Sequence, residues 1–292
     1  MKPAAFRYVR PSSLDEAISA LNEHGSDAKI LAGGQSLVPL LNFRMVRPSA
    51  LIDINRIPDL DRILETEDGG LRIGALTRHH ALETSPAIRG RFPILQTAIT
   101  HVAHLAIRNR GTIGGSLSHA DPAAELPMMA ILLDARIVIR ASDRSRTLAA
   151  EDFLLGPLTT ALEADEIVTE VVLPGIGPAI GWGFEEFALR PGDFAFAAVG
   201  ALIRLRDGKP LEARIALMGV DEIPIRARGA EKLLLGEPYR DDLIRAAAES
   251  ARAAVRPNTD LRASAEYRRH LVVALTQRAL EAAWRRAEGA KP

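Results

Sequence analysis

Hydrophobic positions in the first 174 residues alternate between helix and strand spacing. Residues 14–24 place their apolar side chains on one helical face, with Ser13 positioned to cap the start and Gly25 just past the end. Short apolar or alternating runs predict strands at 28–32, 50–54, 70–77, 136–141 and 166–174. Further helices are predicted at 37–45, 93–106 and 124–135, and a long polar loop rich in glycine at 109–127. This alternation predicts an α/β-like unit.

A different pattern begins after residues 174–183, where glycine and proline are concentrated and mark a boundary near residue 180. The apolar runs 194–206 and 211–220 flank a short polar turn, as the strands of an antiparallel hairpin would. Helical spacing then recurs at 227–235, 241–255 and 264–287. The whole chain is therefore predicted to be α+β, with an α/β-like N-terminal part and a C-terminal part of antiparallel sheet and helices.

Composition narrows the possible partners. The chain has 292 residues, 47% of them apolar, and its 37 basic and 37 acidic side chains balance. No global field therefore favours nucleic acid or an anionic membrane. Neither a signal peptide nor an uninterrupted run of about 18 apolar residues is present, so no membrane span is expected and the cytoplasm is the expected location. The absence of cysteine excludes disulfides and iron–sulfur clusters held by this chain's own thiolates.

Two glycine-bearing segments are the candidates for a ligand-binding site. The first glycine loop, residues 32–36, lies between a predicted strand and a predicted helix, where backbone N–H groups can face an anion. The second glycine loop, residues 111–118, contains three glycines, a threonine and two serines. Two such loops suit a diphosphate, which has two charged centres. Neither matches the G-x-x-x-x-G-K-[ST] or G-x-G-x-x-G fingerprint, so a different nucleotide-binding fold is required.

The segments "AGGQSLVPLLNFR" and "RNRGTIGGSLSHADPAAELP" resemble the FAD-binding medium subunit of the molybdenum hydroxylases, the family of carbon monoxide dehydrogenase and the xanthine dehydrogenase flavin domain. The resemblance extends over essentially the whole chain, including "LIDINRIPDL" and "GDFAFA". It implies a two-subdomain FAD-binding fold of the vanillyl-alcohol-oxidase/PCMH type over 1–176, with subdomains at about 1–55 and 56–176. A C-terminal domain of antiparallel sheet and helices is expected over 180–288.

The resemblance also implies which residues bind the cofactor. Both glycine loops match the diphosphate-binding loops, Glu125 matches an acidic residue that contacts the nucleotide half of FAD, and Asp121 is an alternative for that contact. Val168 matches an apolar position against the cofactor. The full set is Ile30, Leu31, Ala32, Gly33, Gly34, Gln35, Ser36, Leu37, Val102, Ala103, Thr112, Ile113, Gly114, Gly115, Ser116, Asp121, Glu125, Val168 and Phe194.

Three positions of the resemblance need comment. Gln35 stands where some members have histidine, and Glu185-Glu186-Phe187 stands where some have a lysine, which places a cationic contact near the flavin in doubt. Phe194 is a candidate to lie against the isoalloxazine ring, and an ordinary core phenylalanine is the equal alternative.

The function implied is electron transfer. Such a subunit accepts electrons from [2Fe–2S] clusters in a small partner, which are supplied by a molybdopterin site in a large partner, and passes them to an external acceptor. A dimer of heterotrimers is the expected assembly, and no catalytic residue is expected on this chain because FAD supplies the redox chemistry. The alternatives are a stand-alone FAD-dependent oxidoreductase and a flavin-free assembly subunit. The substrate, and an acceptor among quinone, NAD and oxygen, stay open.

Other candidate residues have simpler interpretations. His101 and His104 could share a helical face towards a metal, but no carboxylate has matching spacing, so no metal site is expected. His79 and His80 are expected to be surface or capping residues. Arg108 and Arg110 could neutralise phosphate or form surface salt bridges; both interpretations stand equally.

Overall fold

The structure is a computed structural model that describes residues 2–177 and 179–289. Pro178, within the predicted boundary segment, lies outside the described residues. Helix and strand are mixed in the way the sequence predicts, and the α+β class is confirmed.

The first region is a small sheet covered by helix α1. Its elements are β1 (Arg7–Val9), α1 (Leu14–His24), β2 (Ala28–Leu31), α2 (Leu37–Asn42) and β3 (Ala50–Asp53). The strands are parallel in the order β1-β3-β2. As predicted, Ser13 caps α1 by accepting a hydrogen bond from the backbone of Glu16, and Gly25 ends it at φ 58°. Ile18 and Ile52 are fully buried between the helix and the sheet.

The second region surrounds a five-stranded sheet. Its helices are α3 (His79–Thr84), α4 (Pro86–Arg91), α5 (Pro93–His101), α6 (Leu105–Arg108), α7 (Ile113–His119), α8 (Glu125–Leu132) and α9 (Ala150–Phe153). Its strands are β4 (Ile63–Glu65), β5 (Leu71–Gly74), β6 (Arg136–Arg140), β7 (Ser145–Ala149), the short pair β8 (Leu154–Gly156) and β9 (Thr159–Thr160), and β10 (Ile167–Leu173). The large sheet has the order β4-β5-β10-β6-β7 with antiparallel pairing.

The third region packs three helices on an antiparallel sheet. The elements are β11 (Ile180–Phe187), β12 (Ala197–Arg206), β13 (Lys209–Met218), β14 (Ile225–Arg226), α10 (Arg228–Leu234), α11 (Asp241–Ala254) and α12 (Ala265–Gly289). The predicted hairpin is confirmed, because β12 pairs antiparallel with β13. Gly181 and Gly183 let β11 lie directly against α12, since a Cβ at either would fall about 2.0 Å or less from a carbonyl oxygen of the helix.

Two segments differ from the sequence prediction. The helix expected over 93–106 is broken after His101, where Ala103 adopts φ 42°. Arg108 Nη1 stabilises the break by donating hydrogen bonds of 3.1 Å to the carbonyl oxygens of both Val102 and Ala103. The loop expected over 109–127 contains α7, because Ile113 and Leu117 bury the same helical face despite two glycines between them.

Candidate cofactor site

The two glycine loops meet. Gly33 lies so close to the start of the second loop that a Cβ there would fall 2.4 Å from the carbonyl oxygen of Arg110 and 2.8 Å from the Cα of Gly111. Real Cβ contacts are never that short, so the approach requires glycine. The two loops therefore lie side by side. The missing side chain of Gly33 leaves room for the start of the second loop.

The first glycine loop presents unused donors. Within the described residues, no atom accepts a hydrogen bond from the backbone N–H groups of residues 33–36. Gly34 adopts φ 73°, and the Gln35 side chain holds the loop by donating from Nε2 to the Gly33 carbonyl at 2.9 Å. Consecutive N–H groups without partners form a concavity suited to an anion.

The second glycine loop is different, since most of its N–H groups already donate hydrogen bonds within the protein. Ile113 and Gly114 donate to the carbonyl oxygens of Thr77 and Ala75, at 3.1 and 2.9 Å. The backbone N–H groups of Gly115 and Ser116 donate to the side chain and the carbonyl of Thr112. The N–H groups of residues 113–116 are therefore not free for a ligand, whereas that of Thr112 has no acceptor among the described residues. Gly115 and Ser116 are half-buried, and their contact with a cofactor stays a prediction.

A cleft of about 520 Å³ opens beside the two loops. Its volume is within the ordinary range for small-molecule sites. Its lining includes five residues of the expected set, Leu31, Ala32, Gly33, Gly34 and Gln35, and several residues outside that set. The lining residues are Leu31, Ala32, Gly33, Gly34, Gln35, Val38, Pro39, Asp53, Asn55, Arg78, Ile107 and Arg110.

Asn55 and Arg78 connect the loops. Asn55 Nδ2 donates to the carbonyl of Ala32 at 2.8 Å, while its Oδ1 accepts from Arg78 Nη2 at 2.6 Å. Arg78 Nη1 in turn donates to the carbonyl of Arg110 at 2.5 Å. The sequence signal was Asn55 itself: it closely follows β3, the neighbour of the strand that leads into the first glycine loop, and polar residues at the ends of parallel strands gather at one edge.

Three charged side chains line the cleft: Asp53, Arg78 and Arg110. Burial opposes ionisation of Asp53, but hydrogen bonds from Tyr8 and Asn55 outweigh it and hold its pKa below the ordinary value, so Asp53 is an anion. Burial, with the neighbouring Arg110 charge, lowers the pKa of Arg78, which stays a cation because guanidinium does not deprotonate in proteins. Neither arginine forms an ion pair with a described residue.

Arg108, by contrast, has a structural role. Its Nε lies 2.9 Å from Glu83 Oε2, and it holds the broken segment at Val102 and Ala103. Arg108 therefore forms a salt bridge, which was one of the two interpretations considered for Arg108 and Arg110. Arg110 instead lines the cleft.

A second group of predicted residues lies around that broken segment. Gly192, at φ 83°, packs on Ala103, whose carbonyl oxygen would be 2.9 Å from an added Cβ. This contact brings the loop that carries Phe194 against residues 102–104. Phe194 is 55% exposed, so its interpretation as an ordinary core residue is wrong. Its stacking on a flavin ring stays a prediction.

Glu125 lies in a buried acidic cluster. Its side chain is at the first turn of α8, and Glu186 on β11 and Asp121 face it. Burial and then these two carboxylates raise the pKa of Glu125 to about 8. Glu186 Oε1 lies 3.5 Å from His101 Nδ1, and its Oε2 has no hydrogen-bond partner among the described residues. Contact of Glu125 or Asp121 with a cofactor stays a prediction.

The remaining candidate residues do not lie together in one site. Val168 is 5% exposed and packs within the core of the second region, so its predicted cofactor contact is untested. His101 ends α5 and His104 precedes α6, so they do not share one helix face, and residues 2–177 and 179–289 contain no cluster of metal-ligating side chains. His79 is 6% exposed, and burial lowers its pKa to about 4. The surface role expected for His79 is wrong, because its side chain is buried.

The arrangement can hold an anionic dinucleotide. The chain matches the model for the FAD binding domain in molybdopterin dehydrogenase over residues 4–176, and that for the CO dehydrogenase flavoprotein C-terminal domain over 182–283. The chain belongs to the FAD-binding medium subunits of the molybdenum hydroxylases. The family resemblance in the sequence is thereby confirmed, and FAD is the cofactor of this medium subunit.

Individual relatives agree over their full lengths. Caffeine dehydrogenase subunit beta of Pseudomonas sp. (strain CBB1) is 42% identical over 281 residues, 96% of this chain and 95% of that protein. The solved structure of carbon monoxide dehydrogenase from Hydrogenophaga pseudoflava is 39% identical with a TM-score of 0.95, covering 98% of this medium subunit and 99% of that chain. The structure of quinoline 2-oxidoreductase from Pseudomonas putida 86 is 40% identical with a TM-score of 0.94, covering 98% of this chain and 99% of that chain. The predicted fold type is confirmed by these structures.

The residues present fit FAD. Gly33, Gly34 and Gln35, whose N–H groups have no acceptor among the described residues, line one cleft with two arginines that form no ion pair there, while a single buried aspartate in the lining is already bonded to Tyr8 and Asn55. No helix formed by residues 2–177 and 179–289 has the length and apolar character needed to cross a bilayer.

Proposed function

We propose that this medium subunit holds FAD beside the two glycine loops and passes electrons from the [2Fe–2S] clusters of a small partner to an external acceptor. Substrate is oxidised at a molybdopterin site on a large partner subunit. The contact of Gly33 with Arg110 and Gly111 is the observation that supports this most, because it places the start of the second loop beside the first loop, which lines the cleft of an FAD-binding family domain.

The residues of this chain bind and orient rather than react. Bound FAD supplies one- and two-electron chemistry. Residues 33–36 donate N–H groups to the diphosphate, and the segment 102–104 with Phe194 contacts the flavin end. Arg108 keeps that segment in place through its two carbonyl contacts.

Partner subunits are required because the sequence contains no cysteine to hold an iron–sulfur cluster. Relatives support a multi-subunit enzyme, since their names describe a subunit beta and a medium chain. A dimer of heterotrimers is the proposed assembly.

Substrate choice is proposed to reside on the large partner. Relatives of this same chain type are named for caffeine, carbon monoxide and glyceraldehyde, which share neither size nor functional groups. A chain that recurs with such different substrates is better suited to a common electron path than to recognising one of them.

Purification of the tagged medium subunit from its own cells tests the proposal. The expected product is yellow and contains two untagged chains, and its flavin absorbance is bleached anaerobically when the iron–sulfur subunit is reduced. Adding quinone, NAD or oxygen then identifies the acceptor by which one restores the absorbance. A preparation that contains both partner chains but no FAD, and takes up none when FAD is added, would support the flavin-free alternative. Flavin reduction by a substrate with no partner present would support the stand-alone oxidoreductase.

The expected domains and location are also proposals. Division into 1–176 and 180–288 is supported by the two family matches at 4–176 and 182–283. Separate expression of each segment, with hydrogen exchange compared to the whole chain, tests the division. A cytoplasmic location is tested by cell fractionation with an antibody against the medium subunit.

A further inference from the structure

Arg78 occupies an unusual position for a cation. It lies between the two glycine loops, and its guanidinium donates to an amide oxygen and a backbone carbonyl instead of to a carboxylate. These acceptors fix the direction of the planar group but do not neutralise its charge.

Arg110 faces the same cleft, and its charge is close enough to lower the pKa of Arg78. Within the described part of the chain, the Arg110 side chain makes no hydrogen bond or ion pair. Asp53 and Asp61 attract Arg78 from a distance, but both Asp53 oxygens are already bonded to Tyr8 and Asn55. Two like charges held close together repel each other, and an anion bound between them would reduce the repulsion.

We propose that Arg78 is the positioning cation of the cofactor site: it ties the two glycine loops together and, with Arg110, neutralises the diphosphate of the dinucleotide. This inference depends on the proposed FAD site and adds Arg78 to it, a residue that the sequence analysis did not select. The charges lining the cleft are two arginines and one aspartate, a balance of plus one that free N–H groups at 33–36 supplement.

Three variants separate the two roles of Arg78. Arg78→Ala removes both the charge and the connection between the loops. Arg110→Ala removes a charge whose side chain forms no hydrogen bond or ion pair with a described residue. Asn55→Ala breaks the connection at Ala32 but leaves both charges. Arg72→Ala is the matched control, because Arg72 is an exposed arginine on β5 that pairs with Glu170 outside the cleft.

The measurement is the equilibrium affinity of the deflavinated protein for FAD and for ADP, at low and high salt, with the melting temperature of each apoprotein. Because hydrogen bonds to charged groups contribute about 1.5–3 kcal/mol, Arg78→Ala is expected to weaken both ligands about 10- to 100-fold. Its affinity should also fall less steeply with salt than the wild type, because one screened attraction is gone. Arg78→Lys should restore the salt dependence and only part of the affinity.

Arg110→Ala is expected to weaken both ligands with an unchanged melting temperature, whereas Asn55→Ala should lower the melting temperature and keep the salt dependence. If Arg78→Ala binds FAD as tightly as the wild type, or loses affinity with an unchanged salt dependence, Arg78 does not neutralise the ligand and the inference fails. A wild-type protein that binds no FAD would instead contradict the proposed function. These two failures are therefore distinguishable.

Discussion

The two glycine loops look alike in sequence and differ in the folded protein. In the first, the N–H groups of residues 33–36 have no acceptor among the described residues, and the loop lines an open cleft. In the second, the N–H groups of residues 113–116 are bonded to neighbouring backbone and to Thr112. The first loop is thus equipped to bind a ligand, and the second is mainly equipped to hold its own helix in place.

The glycines show the same division. Gly33 leaves space for Arg110 of the other loop, while Gly114 is buried against Ala75, where an added Cβ would lie 2.5 Å from the alanine side chain. Glycine in a binding loop can therefore serve contact between segments or packing on the core, as well as access for a ligand. A motif alone does not distinguish these uses.

The largest expected effect is at Gly33. Gly33→Val would place side-chain atoms against the Arg110 carbonyl, and the loops would have to separate. Overpacking of this kind costs about 1–3 kcal/mol, and the loss of loop geometry is expected to lower FAD affinity about 100-fold. Flavin retained after gel filtration measures it. The control is Gly90→Ala, since nothing lies within 4 Å of a Cβ there. Retention of FAD equal to wild type would contradict the role given to this contact.

Gly114 should respond in the opposite way. Gly114→Ala is expected to destabilise the apoprotein by about 1–3 kcal/mol, because α7 must move off Ala75. The folded fraction should keep its FAD affinity. Chemical denaturation followed by circular dichroism, with flavin binding measured on the same samples, compares it with Gly33→Val. If Gly114→Ala instead loses FAD with unchanged stability, the second loop is a direct binding element and the contrast between the loops is wrong.

A third expected effect depends on pH and concerns Glu125, at the start of α8. Glu125 has a pKa of about 8 when folded, against an ordinary value of 4.5. The unfolded chain therefore ionises this group first, and stability is fully present below about pH 4.5 and declines as pH rises to about 8. Across one pH unit within that window, the free energy of unfolding is expected to fall by about 1 kcal/mol.

Glu125→Gln should remove this decline, so the free energy of unfolding of the variant should rise relative to that of the wild type as pH rises. Denaturant titrations at pH 5, 6 and 7 measure the difference. Glu186, Asp121 and His101 surround the group, so Asp121→Asn serves as the comparison for the nearby charge. A pH-independent difference between Glu125→Gln and wild type would show that Glu125 is ionised in the folded protein.

Local pattern was sufficient where one segment decides its own structure. Helix α1, with Ser13 and Gly25 at its ends, and the hairpin of β12 and β13 follow from residues close together in sequence. The local pattern did not predict the break in the helix at Ala103, because that break depends on hydrogen bonds from Arg108 to two carbonyl oxygens. It also did not predict α7, where the burial of Ile113 and Leu117 outweighs the low helix propensity of glycine.

The site divides in the same way. The sequence by itself located the two glycine loops, because diphosphate binding needs small residues and polar donors at fixed places along the chain, and its resemblance to a known family indicated the family and the cofactor. Only the tertiary structure decided which loop keeps free N–H groups, and that Asn55 and Arg78 join the loops, because these depend on contacts between residues about 20 to 30 positions apart. Hydrogen-bond partners at such separations are chosen by packing, which a local pattern does not record.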